Sequence, residues 1–590
     1  MRLSTLAVLL VCTATAIAGG PRRGPRALAI AQGGAHVINI QTVGANTGFV
    51  TWAGGTATFM YNDAVNNLPA IPNVETGSTP QTAGDAGAQA WEDASTFDFV
   101  DGGTTAVTDV GSDGINLVTF QNTSANTAAV GGALAVTLSS FNSSLNFTEA
   151  DIVFNPAFTF STLGTAGFYD IQSIACHEFG HAFGLNHSAV CSSTMYPFSG
   201  TAETHQRTLS TDDVAGINGL YESIPHFWAT GTITGTVMRN GSVVYGAHVA
   251  ARSLVDGVTV AAAMSKPDGT YELSGLPVGP YAIYAEPLDG PVGDSNVTST
   301  FYTTGKDTTF QTTFLGSAAS PTPVNVTPAS VTSSVDLTLP ASNNTLNLTF
   351  ANEAAGPGMA FSANGGGFEL APGANTFVIV AGPSVSTTAD SAFSMTGAGI
   401  TFGPSSVESG TLGSVTYKMF PVVVAADAPP GPRDIVMDTG SEVTVYCGVV
   451  DIQPAATPAA SVFTYGTASG GSAGAPDLAS VGLPTLGNTG FAVTVTNGVS
   501  GENAFFYVAG EPDYVDMGNG LVQWIAIDRA NVFPGVVLQQ PIVANSATQV
   551  MGVPNIPGLA GYKVYVQAVL SDALNPGGAS STKALVLTLN

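Results

Sequence analysis

Charge is what this chain has least of. Asp, Glu, Lys and Arg make up 9% of its 590 residues, against about 25% in an ordinary soluble domain. Only 14 residues are basic against 41 acidic, a net charge of −27. Such a surface lacks the positive footprint that a phosphate backbone requires, which excludes nucleic acid as a partner. The scarcity of Glu, Lys and Arg also excludes coiled coils and long helical arrays. Disorder is excluded from the other side, by an apolar fraction of 44%. Cysteine is nearly absent as well. Of four cysteines, Cys12 falls in an N-terminal leader, and Cys176, Cys191 and Cys447 are too few for a disulfide scaffold. Cys176 and Cys191 are close enough in sequence to bridge, and two separately buried thiols fit equally. Cys447 is expected to stay unpaired. Beyond the leader no apolar run is long enough to span a bilayer.

What is present is Gly (70 residues), Thr, Ser, Val and Ala, the profile of exported all-β modules. The leader itself, Met1-Arg2 followed by an apolar run from Leu3 to Ala18 that ends Ala16-Ile17-Ala18, reads as a cleavable secretory signal peptide. It is shorter than the ~20 residues of a membrane span, and Leu10-Val11 before Cys12 does not suit lipoprotein processing. The mature chain is therefore expected to be exported and extracellular, with surface attachment left open. Length alone suggests about four domains at ~150 residues each.

Residues 19–48 read as a flexible lead. From 49 to 222 strand-like and helix-like segments alternate: Ala88 to Glu92 as helix, Ile115 to Phe120 and Gly132 to Thr137 as strands, and further helices near 171–183 and 211–222. Ser112-Asp113-Gly114 should turn into the strand at Ile115. After Pro225 the helical pattern stops, and short Val/Thr/Phe runs punctuated by Gly, Pro, Asn and Asp take over. The Pro- and small-residue-rich stretches Ser317 to Pro323 and Gln453 to Ala460 read as linkers. The expected pieces are 230–316, 324–453 and 462–590.

Three of the seven histidines fall within His177-Glu178-Phe179-Gly180-His181-Ala182-Phe183-Gly184-Leu185-Asn186-His187. On a helix started by an Asp170 cap, His177 and His181 share one face at zinc-binding separation. Glu178 stands beside them as a general base rather than a ligand. Gly184 can end the helix in a left-handed conformation, so that His187 supplies a third nitrogen. Three ligands leave a fourth position for water, the pattern of a catalytic zinc.

This stretch resembles the long zinc-binding signature of the metzincin metalloproteases, and Ser188 after the third histidine is similar to the matrixin branch. Thr194-Met195-Tyr196-Pro197 resembles that family's Met-turn, and Leu209 to Ile217 resembles the start of its C-terminal helix, where Ser210 and Asp213 also form a capping-box spacing. The resemblance implies an α+β metzincin-type catalytic domain over 49–222, one catalytic Zn2+ on His177, His181 and His187, with Glu178 as base, and leaves room for Ca2+. It implies that Gly132, Ala133, Leu134 and Ala135 open a substrate-binding edge strand, against which an interior strand is the competing reading. Three departures stand out. No cysteine lies between leader and catalytic region, which removes latency through a propeptide thiolate. Only His36 lies upstream of His177, against a second, structural zinc built from several histidines. Phe198-Ser199 come after Pro197 where vertebrate matrixins usually carry a tyrosine two after the proline.

Residues 230–316 resemble the carboxypeptidase-regulatory-like, transthyretin-like β-sandwich, with Asp268-Gly269 as a hairpin turn and His248 on a sheet surface. Residues 324–453 resemble an Ig-like sandwich with Pro429 to Pro432 as an inter-strand loop, and 462–590 resemble C-terminal modules of exported bacterial proteins, with Trp524 in a core. The fold class is thus multidomain, a metzincin-type domain followed by three all-β sandwich modules. The expected function is a secreted zinc endopeptidase acting on protein or peptide. The alternative is a surface adhesin or matrix-binding protein that takes a polysaccharide or cell-surface ligand through its β modules, its protease-like domain inactive or secondary.

Overall fold

The computed structural model describes residues 40–44, 46–356, 366–403, 408–412, 415–455, 460–526 and 536–590. The expected signal peptide, Cys12 and His36 lie outside them. The chain divides into two compact units, Gly33–Ala455 and a second whose described part is 460–590. No described helix is long and apolar enough to cross a membrane.

The expected flexible lead ends earlier than 48. Ile40–Val43 and Asn46–Phe49 pair as a hairpin, because Ile40 is buried among apolar side chains that include Tyr196 and Leu288. The Thr42 N–H also donates to Thr300 Oγ1 at 2.7 Å.

The catalytic region is built on a five-stranded sheet of β1 (Thr56–Asn62), β2 (Asp98–Thr105), β3 (Asn116–Thr119), β4 (Ala135–Phe141) and β5 (Phe147–Phe154), in the order β2-β1-β3-β5-β4. β4 alone runs antiparallel, against β5 at the edge. It starts later than the sequence suggests. Gly132, Ala133 and Leu134 precede the strand, because Gly131 takes a φ of 56° and Asn155 Nδ2 holds the Gly131 and Ala133 carbonyls in a turn.

Helices α1 (Pro80–Ala94) and α2 (Ile171–Phe183) pack together and fill the core beside the sheet. In α1 the buried residues Pro80, Ala83, Gly84, Gly87, Ala88 and Trp91 recur at helical spacing. A Cβ on Gly87 would stand 2.8 Å from Cys176 N, so glycine permits the close approach. The Trp91 indole N–H donates to the Cys176 carbonyl at 2.8 Å. Helix α3 (Thr211–Leu220) begins with the expected capping box of Ser210 and Asp213. A further short helix, Ile224–Ala229, continues past Pro225. Proline is tolerated there because first-turn N–H groups have no helical acceptor.

The rest of the first unit is β-sheet. β6 (Thr230–Arg239) pairs with Ser242–Val243 and Thr270–Pro277, while β7 (His248–Ser253) and β8 (Gly279–Glu286) pair with each other and with Thr259–Met264 and Thr313–Phe314. Side chains of both sheets, among them Val237, Tyr271, Ala251 and Ile283, share one core. Val324–Val326 joins β8, and Val331–Thr332 and Leu337–Leu339 join β6. The boundary expected at 316–324 therefore falls inside this sheet pair. Ser317 to Pro323 is a tight turn, with Thr322 N–H donating to Leu315 O at 2.8 Å. Asp268-Gly269 is not a hairpin turn either: it carries the chain from Thr259–Met264 in one sheet to Thr270–Pro277 in the other.

A second sheet pair comes next. One sheet holds Phe350–Ala354, Asn375–Gly382, Val415–Val424 and Ile400–Phe402. The other holds Phe368–Leu370, Phe393–Met395, Gly431–Asp438 and β9 (Val443–Ile452). Pro429 and Pro430 lead into the strand at Gly431. The unit beyond 460 is also β, around a five-stranded sheet with Phe506, Val566 and Leu585 in its core. Trp524 is buried and donates to Thr467 O at 2.9 Å, as a core residue should.

Candidate metal centre and catalytic cleft

Helix α2 starts where Asp170 Oδ1 accepts the Ser173 N–H at 2.8 Å. Arg207 anchors the same carboxylate with two contacts, Nε to Oδ1 at 2.9 Å and Nη2 to Oδ2 at 2.5 Å. The helix ends at Gly184, whose φ of 113° suits only glycine, and the Leu185 N–H closes back on Gly180 O at 2.9 Å. That reversal brings His187 to His177 and His181. The ring centroids lie 4.8, 5.3 and 4.8 Å apart, and the three donor atoms fall within 4.8 Å of one another.

Each imidazole is oriented through Nδ1. His177 Nδ1 meets Thr194 O at 2.7 Å, His181 Nδ1 meets Leu185 O at 2.9 Å, and His187 Nδ1 meets Asn296 O at 2.7 Å. A carbonyl can only accept, so each Nδ1 carries the proton and each Nε2 presents a lone pair. That is the tautomer a metal ligand needs, held by outer partners. The donor set therefore fits zinc. The third carbonyl comes from the first sheet pair, 109 residues after His187. Asn186 Nδ2 donates to Thr298 O at 3.0 Å in the same stretch, and Lys306 Nζ anchors it to Asp294 Oδ1 at 2.7 Å.

Glu178 is buried beside the histidines. Burial raises its carboxyl to about 7 against the lowering pull of the Thr137 hydroxyl. Thr137 Oγ1 donates to Glu178 Oε2 at 2.7 Å and lies 2.9 Å from the Glu178 carbonyl. Met195 is fully buried beneath α2. A Cβ on Gly180 would collide with Met195 Sδ and Trp91, which explains glycine inside the motif. The turn itself hangs on Asp213, which accepts N–H groups of Thr194 at 2.8 Å and Met195 at 3.1 Å. Asp212 accepts from Ser188 Oγ at 2.7 Å and, across to the first sheet pair, from Ala262 N–H at 2.9 Å.

A cleft of about 630 Å3 runs over this centre. Gly132 to Thr137 line one side, Tyr196 to Ser199 another, and Gln41 and Thr298 reach its edge from outside the catalytic sheet. Phe198 is partly exposed, 5.7 Å from the Tyr196 ring. His177, Glu178, His181, His187 and Gly132 to Ala135 line this one cleft, while Met195 does not reach it and lies buried beneath. Thr137, Arg207, Asp212 and Asn296 were not singled out by sequence reasoning. Only the adjacent Asp212 and Asp213 carried a signal, and it pointed to a helix cap.

Cys176, Cys191 and Cys447 are all free and buried, which settles the open bridge in favour of separate thiols. Among the described residues one other His/Cys/Asp/Glu group could hold a metal, His248 with Glu286 and Cys447. Neither group is the all-oxygen set that Ca2+ takes.

A mixed sheet with an antiparallel edge strand, a helix presenting two histidines, a glycine reversal to a third and a methionine beneath them define a metzincin-type metallopeptidase domain. Its branch comes from comparison: residues 73–222 match the family model described as matrixin. Metalloendoproteinase 4-MMP of Arabidopsis thaliana is 33% identical over 114 residues, 19% of this chain and 32% of that protein. Metalloendoproteinase 2-MMP of the same plant is 44% identical over 72 residues, 12% of this chain and 18% of that protein. Human matrix metalloproteinase-20 is 47% identical over 60 residues, 10% of this chain and 12% of that protein. The chain spans under a third of the length of these relatives. The domain is matrixin-like, and the chain beyond residue 229 is largely β-sheet.

Proposed function

We propose that the chain is a secreted zinc-dependent endopeptidase that hydrolyses peptide bonds of extracellular proteins. The carrying observation is the convergence of His177, His181 and His187, each with Nδ1 tied to a carbonyl, beside a buried Glu178 and under an edge strand. Zinc held by the three Nε2 atoms would supply a Lewis acid and a water of lowered pKa. Glu178 takes the proton of the attacking water and returns it to the leaving amine. Thr137 fixes the carboxylate in position for both transfers. β4 receives an extended peptide by main-chain pairing, with Gly132 and Ala133 exposed just ahead of it. Tyr196, Pro197 and Phe198 bound the space for a substrate side chain. Export rests on the leader Met1 to Ala18.

The test is chelator-sensitive cleavage of casein or gelatin by the full chain. Glu178→Ala should abolish turnover and keep its zinc. Full zinc-dependent proteolysis by that variant would sink the assignment.

A further inference from the structure

His248 was expected on a sheet surface, and it is 1% exposed. The reason is the second sheet pair, which covers the face that β7 and β8 would otherwise offer to water. His248 and Glu286 stand opposite each other in β7 and β8, with His248 Nδ1 at 2.8 Å from Glu286 Oε1. Cys447 reaches the same point from β9, so that one nitrogen, one oxygen and one sulfur lie within 4.8 Å of one another, all three residues buried. A cavity of about 30 Å3, room for a single water-sized ligand, borders Glu286 and Cys447.

We propose that His248, Glu286 and Cys447 form a second, structural metal site for a zinc-class divalent ion. Imidazole, carboxylate and thiolate are the three ligand types that zinc accepts. Tetrahedral bonds of 2.0–2.3 Å would separate ligand atoms by about 3.3–3.8 Å, so the His248–Glu286 pair, at 2.8 Å, opens by roughly half an ångström, and the Cys447 sulfur, within 4.8 Å of both, closes by about 1 Å at most. Asp434 is fully buried nearby, with Arg252 as its ion-pair partner at 3.6 Å and the buried Arg433 next to it in sequence. Burial, the main cause, raises both the Glu286 carboxyl and the Cys447 thiol, while the His248 contact pulls the carboxyl down. On binding, the ion displaces the thiol proton of Cys447 and the proton that His248 and Glu286 share in their 2.8 Å contact, both of which leave to solvent, and bonds the sulfur, oxygen and nitrogen so freed. No electron moves.

The ion would join β7 and β8 of the first sheet pair to β9 of the second. The same middle part of β9 supports the floor of the cleft: Cys447 O and Gly448 O accept the N–H groups of Cys191 and Ser192, both at 3.0 Å, just ahead of Met195. The second site would thus stiffen the base of the cleft without touching substrate.

The experiment is metal analysis and cobalt substitution of the full chain. Three histidines carry no sulfur, so a thiolate-to-cobalt charge-transfer band in the near ultraviolet reports the second site alone. Two metal ions per chain are expected, together with that band. His187→Ala should lose one ion and keep the band. Cys447→Ser and His248→Gln should each lose the band and the other ion, while Cys176→Ser keeps both. A wild-type chain with a single ion and no sulfur band overturns the proposal, even if a junction variant fails to fold. A band that survives Cys447→Ser overturns it equally.

Discussion

Thr137 shows how much one hydroxyl on an edge strand can decide. It is the named group that lowers the Glu178 carboxyl against the desolvation that raises it. Thr137→Val should therefore move the acid limb of the kcat/KM profile to higher pH, because the base must be ionised to accept a proton. Turnover near neutrality should fall by about 10-fold or less, with zinc content unchanged. An unmoved acid limb would remove Thr137 from the machinery. Gly180 makes a different demand, on space alone. Gly180→Ala sets a methyl against Met195 Sδ and Trp91, and overpacking of this kind costs about 1–3 kcal/mol, read as a drop in Tm. Asp151 is 3% exposed, and burial lifts its carboxyl to about 6 although it accepts N–H groups from Gly111 and Leu117. Its folded pKa lies above the unfolded value near 4. Its contribution is thus full below that value and is lost as pH rises through about 6. Asp151→Asn cannot ionise, so its stability deficit against the parent should shrink by on the order of 2 kcal/mol between pH 4 and pH 8. A deficit constant across that range would contradict the sign.

At the scale of elements, the stretch from Gly293 to Lys306 belongs to the metal centre as much as α2 does. It delivers the Asn296 carbonyl to His187 and is held by the Lys306–Asp294 ion pair. Lys306→Ala should loosen that delivery and weaken zinc binding by about 10-fold in a chelator competition, the usual penalty for losing an outer partner. Unchanged zinc affinity would show that His187 needs no support from the sheet pair. The contrast with α2 explains what the sequence made legible. The helix, its Asp170 cap, its glycine end and the third histidine are encoded within one run of neighbours, where spacing translates directly into geometry. Asn296 contributes only its backbone carbonyl, for which no side chain is required and no motif exists. His248 was misread for a related reason. A histidine in a strand is usually wet, and what buries this one is a second pair of sheets far along the chain.

For the molecule as a whole, the matrixin-like domain and the two sheet pairs form one compact unit, Gly33–Ala455. Ser317 to Pro323 resembled a spacer because turns inside a sandwich and linkers between sandwiches draw on the same residues. Only the pairing of Val324–Val326 with β8 distinguishes them. The cores are also joined. Cys191 and Tyr196 of the catalytic region lie in the cluster formed by the second sheet pair, and Ala215 of α3 lies in that of the first. A chain cut after Ala229 would bare these contacts and lose the hydrogen bonds to Asp212 and His187. We expect it to aggregate, or to bind zinc at least ~10-fold more weakly than the full chain. A soluble fragment with undiminished zinc affinity would show that the β region is an appendage after all.

The carbonyl that orients His187 has a bearing on timing. Synthesis runs from the N-terminus, so the signature helix is made well before Asn296, which lies 109 residues beyond His187. Until that later stretch is in place, the third imidazole lacks the carbonyl that orients it. The order of synthesis thus places the completed histidine set after the segment that braces it, and not before.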